Sequence, residues 1–189
     1  MTKTKENFFR ARLLTTILAL ALGTVLCLAP ISQTPSLAAC KPVKPKGTPI
    51  GTINAGSSRI SIIPFSYPAG GVMEPQKTTE ALFMSLRHMP LSSSVGTSVL
   101  AWHINANGCW SDLNFLIGDE KVGTRFRITD ETGVTKTYRI TNVSVVKKGN
   151  YKKSWFSLVG PRKLALFTCT GAFVDGHYVD NKVIIAVPA

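Results

Sequence analysis

Neither Cys-x-x-Cys nor His-x-x-x-His spacing occurs among the four cysteines and three histidines, which argues against a zinc site. Only 10 acidic residues are scattered through 189 positions, with no cluster of the kind a calcium loop needs. No internal repeat is visible, so a solenoid is not expected. Aromatic residues are 8% of the chain and are not interleaved with the basic ones, which argues against a stacking surface for single-stranded nucleic acid. Neither a metal, an organic cofactor nor a nucleic-acid partner is therefore expected.

What the chain does carry is positive charge, and part of it sits at one end. The formal net charge is +12; removing the four basic residues and one acidic residue of 1–39 leaves +9. Such a surplus suits an anionic surface, and also plain solubility. Met1 to Arg12 is basic, Leu13–Ile31 is nearly all apolar, and Ser32–Ala39 is small and polar. That order is the pattern of an export signal. The apolar run also approaches the ~20 residues that span a bilayer. Three fates follow: cleavage near Ala38 or Ala39, retention as an anchor, or lipidation of Cys40 in Leu37-Ala38-Ala39-Cys40. All three place the remainder outside the cytoplasm, with the membrane as a partner through the N-terminal segment. The expected organisation is 1–39 as signal or anchor, 40–49 as a Pro/Lys linker and 50–189 as one folded domain.

The folded part reads as mainly β. Short apolar or alternating runs at 59–64, 98–104, 125–128, 135–146, 163–169 and 182–187 are separated by Gly, Pro, Asn and Asp. Turn signals at that spacing argue for a sandwich or barrel. Two stretches, Thr78–His88 and Ser111–Leu116, are assigned as short helices. The basic stretch Lys147–Lys153 reads as a loop, solvated or lining a groove.

Cys27 lies in the apolar segment and Cys40 at its exit, which leaves Cys109 and Cys169 within the expected domain. In an exported protein such a pair is read first as a disulfide. The alternative is a free nucleophile, and spacing does not decide between them. Cys169 ends the apolar run Leu164–Thr168, and His103 ends the run Ser98–Trp102 before an Asn-Ala-Asn-Gly turn. Two strand ends can bring His and Cys together across a barrel rim. A thiolate there would need a nearby cation or donor. His177 is a third ionisable group, read as a surface turn residue.

Ala165-Leu166-Phe167-Thr168-Cys169 resembles the sortase signature, and Ser98–Asn105 resembles the sortase strand that ends in its essential histidine. Trp110–Leu113 with Leu116–Asp119 resembles the family's helix-turn segment, and Tyr138-Arg139-Ile140 its Tyr-x-Val strand. Val72–Pro75 resembles an element near the start of the class F group, and Gly176–Asn181 with Val183–Ala186 that group's final strand, so the resemblance is closest to class F/E sortases.

The resemblance implies a closed, roughly eight-stranded sortase barrel. It implies a cysteine transpeptidase that cleaves a Leu-Pro-x-Thr-Gly-like signal at the C-terminus of a secreted protein. The acyl group would pass to an amine of the cell envelope. Cys169 would be the nucleophile and His103 the general acid/base. Thr168, Trp102 and Val179 would line the substrate. The family's final-strand arginine has no counterpart, because no arginine follows Arg162; Asn181 stands at that position. The bulky Trp102 stands where a glycine is common and would narrow the groove. These two departures keep open an alternative reading, a weak or inactive sortase-fold binding module.

Overall fold

The computed structural model describes residues 40–55, 58–68, 72–116 and 122–189. The N-terminal segment 1–39, with Cys27 and the export signal, lies outside them, as does the Gly118-Asp119 turn. Among the described residues no helix is long and apolar enough to cross a membrane.

Ten strands form: β1 (Gly51–Ala55), β2 (Ser58–Phe65), β3 (Ala81–Ser85), β4 (Thr97–Ala101), β5 (Asn105–Ala106), β6 (Cys109–Trp110), β7 (Arg125–Thr129), β8 (Thr135–Lys147), β9 (Lys163–Val174) and β10 (His177–Pro188). Eight of them close a barrel in the order β1-β2-β3-β4-β9-β10-β8-β7, and β5 and β6 make a separate hairpin. Closure leaves no unpaired sheet edge in the barrel. Among the described residues the helices are two short 3-10 turns, Asp112–Leu116 and Lys153–Phe156. The first falls on the expected 111–116 helix. The expected 78–88 helix is a correction: its centre is β3, whose five residues are all buried. A strand packed on both faces shows no alternation, so its run Ala-Leu-Phe-Met-Ser reads as easily as a helix.

Alternation sorts the barrel residues into two sides. Leu100, Leu164, Leu166, Ile184 and Ala186 join Ile53, Ile62, Leu82 and Tyr138 in the interior. Their neighbours Val99, Ala165 and Val183 face outward beneath Trp155 of the second 3-10 turn, with Phe156, Phe167 and Val146 packed against them. The segment from Lys148 to Pro161 therefore lies over the outer face of β4, β9 and β10. It also joins β8 to β9, closing the long connection that lets β9 run parallel to β4.

β9 and β10 form a long hairpin around Asp175-Gly176, both with positive φ (47° and 84°), the two-residue turn that suits twisted strands. Near its base Gly171 has φ +83° and sits where a Cβ would come within 2.6 Å of Asp180 Oδ2, so a side chain there would force the bulge open.

Residues 40–49 form a strap with no regular structure, as their prolines require, yet they are fastened. Cys40 is disulfide-bonded to Cys109. Lys46 and Gln76 exchange two hydrogen bonds, the Lys46 N–H to Oε1 at 2.8 Å and Nε2 to the Lys46 carbonyl at 2.7 Å. Thr78 Oγ1 donates to the Val43 carbonyl. Two cysteine readings are corrected here. The Cys109–Cys169 disulfide does not form, because Cys109 is bonded to Cys40 and Cys169 is free. Cys40, as half of that disulfide, has no thiol left to carry a lipid.

Candidate active site

Cys169 lies within β9, and the two neighbouring strands decide what stands beside it. On one side β4 runs parallel to β9 from Thr97↔Lys163 to Ala101↔Phe167. The pairing continues past the last residue of β4. Trp102 N–H donates to the Phe167 carbonyl at 3.1 Å, and Thr168 Oγ1 donates to the Trp102 carbonyl at 3.0 Å. Carried two residues past β4, the same register sets His103 opposite Cys169. On the other side Asn181 of β10 is the direct cross-strand partner of Cys169. Asn181 is in turn paired with Val146 of β8. Alternation puts His103, Cys169 and Asn181 on the outer face, the side taken by Val99, Ala165 and Val183. Residues from three parts of the sequence thus make one row, across β9, β10 and the extension of β4.

Each member of the row is held. His103 Nε2 is 3.1 Å from the Pro75 carbonyl, which only accepts, so the hydrogen of the neutral ring sits on Nε2 and Nδ1 is left as the acceptor. The Pro75 loop is the one tied to the strap through Gln76 and Thr78. Asn181 Nδ2 donates to the Thr168 carbonyl at 3.0 Å, and its Oδ1 accepts from Tyr151 Oη at 2.7 Å. Burial raises the Cys169 pKa, and the Lys148 ammonium opposes this, leaving it above the ordinary thiol value. At neutral pH the thiol form dominates, and forming the thiolate depends on a base and on that cation.

Two residues expected to line the substrate are buried. Trp102 is buried in the barrel interior (2% exposed), so its indole does not narrow a groove on the outer face. Thr168 is equally buried, and its hydroxyl is spent on the Trp102 carbonyl. Both have even offsets from the interior residues Leu100 and Leu166, so alternation alone places them inside. Val179 is half-buried and lies at the bulge between Tyr178 and Asp180, up the strand from Asn181. His177 is exposed at the start of β10, as a turn residue should be.

Sequence reading missed Tyr151 and Lys148 as individuals, seeing only the loop they belong to. The aromatic residues at 151, 155 and 156 amid its lysines were the available signal: a purely solvated loop has no use for them. Among the described residues no group of His, Cys, Asp or Glu could hold a metal ion.

A sortase domain model matches residues 60–189. No curated protein matches the chain by sequence. Among solved structures it is similar to sortase A from Corynebacterium diphtheriae, with a TM-score of 0.58 at 18% identity over 76% of this chain. It spans 62% of that structure's length. It is similar also to sortase C-1 from Actinomyces oris, with a TM-score of 0.58 at 20% identity, covering 75% of this chain and 73% of the other. A third is Streptococcus agalactiae sortase C1 in complex with MTSET, with a TM-score of 0.57 at 15% identity, covering 75% and 69%. At these identities the structures speak for a shared fold. The family model goes further, since it takes in well over half of the chain, from within β2 to the last residue and including His103, Cys169 and Asn181; the chain belongs to the sortase family.

Proposed function

We propose that this protein is a cysteine transpeptidase acting on the extracellular side of a bacterial membrane. Its substrate is a secreted protein with a Leu-Pro-x-Thr-Gly-like C-terminal signal, and its acceptor an amine of the envelope. The observation that carries the reading is the row itself, with a free cysteine between an oriented histidine and an amide donor. A disulfide or a buried structural thiol needs no such neighbours.

The steps follow from the row. The Cys169 thiolate attacks the threonyl carbonyl carbon; the C–S bond forms and the carbonyl π pair moves onto oxygen. Collapse of that oxyanion breaks the C–N bond, and the protonated His103 ring delivers its proton to the departing amine. The incoming amine then attacks the thioester and gives a proton to His103; the C–N bond forms and the thiolate leaves. The role of Asn181 is to donate to the oxyanion in each half. Sortases usually have an arginine in this position, and a neutral donor is about half as strong as a charge-assisted one. The membrane association rests on the N-terminal segment, and the class F/E placement on the final-strand motif.

A second reading, a binding module with little turnover, is favoured by the raised Cys169 pKa together with the neutral Asn181. Cleavage and transfer of peptides from a sorting-motif library separate the two. The wild type should cleave and transfer, Cys169→Ala should reduce turnover to background, and Asn181→Arg should raise it. Equal rates for wild type and Cys169→Ala would sink the transpeptidase reading.

A further inference from the structure

Tyr151 stands in the loop that covers the outer face and belongs to none of the roles given above. Its ring is braced edge-on by Phe167 (centroids 5.6 Å apart) and by Phe156 (6.1 Å). Its hydroxyl is 2.7 Å from Asn181 Oδ1. The sense of this contact is fixed by the other end of the amide. The Thr168 carbonyl 3.0 Å away only accepts, so the amide nitrogen must face it and the amide oxygen must face Tyr151. Tyr151 therefore donates. Of the two amide N–H bonds, one is committed to Thr168, and the other has no partner among the described residues.

We propose that Tyr151 is a positioning residue that locks the Asn181 amide with its second N–H presented to the oxyanion formed on the carbonyl attacked by Cys169. The inference rests on the transpeptidase reading and deepens it. An asparagine amide is two-faced: turned over, it would offer a lone pair where negative charge develops. An arginine needs no such restraint, because every polar atom of its guanidinium is a donor. A neutral residue at this position is useful only if its orientation is fixed before the reaction, since a preorganised donor is worth more than one that must turn. The aromatic brace and the hydroxyl supply that restraint from a loop distant in sequence from β10.

Tyr151→Phe tests this, since it deletes the hydroxyl and keeps the ring contacts. Removing an oxyanion donor outright costs roughly 100-fold in kcat or more, so Asn181→Ala should fall that far and Tyr151→Phe, which loosens the donor, about tenfold. In Tyr151→Phe the peptide KM should stay within about twofold, and the rate of Cys169 alkylation by iodoacetamide should not change, because displacement at that reagent forms no oxyanion. The double variant should be no slower than Asn181→Ala alone. Unchanged kcat in Tyr151→Phe, or a double variant slower by the product of the two effects, would overturn the inference while leaving the transpeptidase reading in place. A parallel loss of alkylation would also overturn it, showing a collapsed site in place of a misaligned amide. A wild type that cleaves no peptide would overturn both.

Discussion

Cys169 sits between two opposed influences, burial that holds its proton on and the Lys148 charge that helps release it. Its thiolate fraction at neutral pH is consequently below that of an ordinary cysteine. Alkylation of Cys169 followed against pH should give an apparent pKa above the ordinary thiol value. Lys148→Gln removes the opposing cation, so its profile should move higher still. At pH 7.5 the rate should drop by roughly twofold, the size of a solvent-screened interaction, and the difference should shrink in 1 M salt. A lower apparent pKa in the variant would contradict this assignment. At this scale the sequence was informative about identity and poor about orientation. Cys169, His103 and Asn181 were singled out by motif order; the expectation that Cys169 ends its strand was wrong, since β9 continues to Val174. Trp102 and Thr168 were taken as substrate-lining from the family resemblance, whereas strand alternation turns both into the barrel interior. Tyr151 was invisible as an individual because its partner lies 30 positions away.

Among the elements, the strap of residues 40–49 does more than link. Its disulfide closes a separation of 69 residues, and its hydrogen bonds hold the loop whose Pro75 carbonyl fixes the His103 tautomer. Asn107, on the Asn-Gly turn between β5 and β6, joins the same assembly: its carbonyl accepts from Lys41 N–H at 3.1 Å and its Nδ2 donates to the Lys77 carbonyl at 3.0 Å. Chain-entropy reasoning assigns a loop of that size about 4 kcal/mol of stabilisation, most of it by restricting the unfolded chain. At ~2–4 °C per kcal/mol for a domain of this size, Cys40→Ser with Cys109→Ser should lower Tm by roughly 10 °C. Calorimetry with and without reductant provides the same comparison on the unaltered protein. A shift under about 2 °C would show that the strap is held without its disulfide. The strands themselves were legible where they alternate, as in β8, and where the Asp130-Glu131-Thr132-Gly133 turn bounds them. β9 and β10 were read too short, because their distal halves leave the buried core and carry Gly171, Asp180 and Asn181, and only the Asp175-Gly176 turn reveals the hairpin. β3 was read as a helix for lack of alternation, and β1 was not recognised as a strand.

On the scale of the whole molecule, the barrel interior carries the stability and the outer face the proposed site. Leu166 is fully buried at the centre of the interior cluster, so Leu166→Ala should cost about 2–5 kcal/mol in denaturant unfolding. A loss below 1 kcal/mol would mean that the interior is not packed as described. Acid should weaken the fold through two groups. Burial and the neighbouring Arg87 lower the His88 pKa, so the unfolded state binds the proton first and stability is lost as pH falls below about 6.5. Burial tends to raise the Asp130 pKa, but hydrogen bonds from Thr132 and Val134 and the Lys136 charge outweigh it, leaving the pKa lowered. Its contribution is present above the usual carboxylate range and disappears as pH falls through the lower, folded-state value. Tm should therefore decline from neutral pH downward, and His88→Gln should flatten the first part of that decline; an unchanged slope in the variant would remove His88 from the account. Turn spacing pointed to a sandwich or barrel and the family resemblance to its closure, while the parallel pairing of β4 with β9 was not legible, because pairing across a long connection leaves no local mark. The central claim is that this row makes Cys169 an acyl-accepting nucleophile. Its most direct test is intact-mass spectrometry after mixing the protein with a Leu-Pro-x-Thr-Gly peptide in the absence of an amine acceptor. The account predicts a thioester adduct of the peptide's N-terminal fragment on Cys169, lost in Cys169→Ala and discharged by added amine; an unmodified Cys169 with peptide present in excess would contradict it.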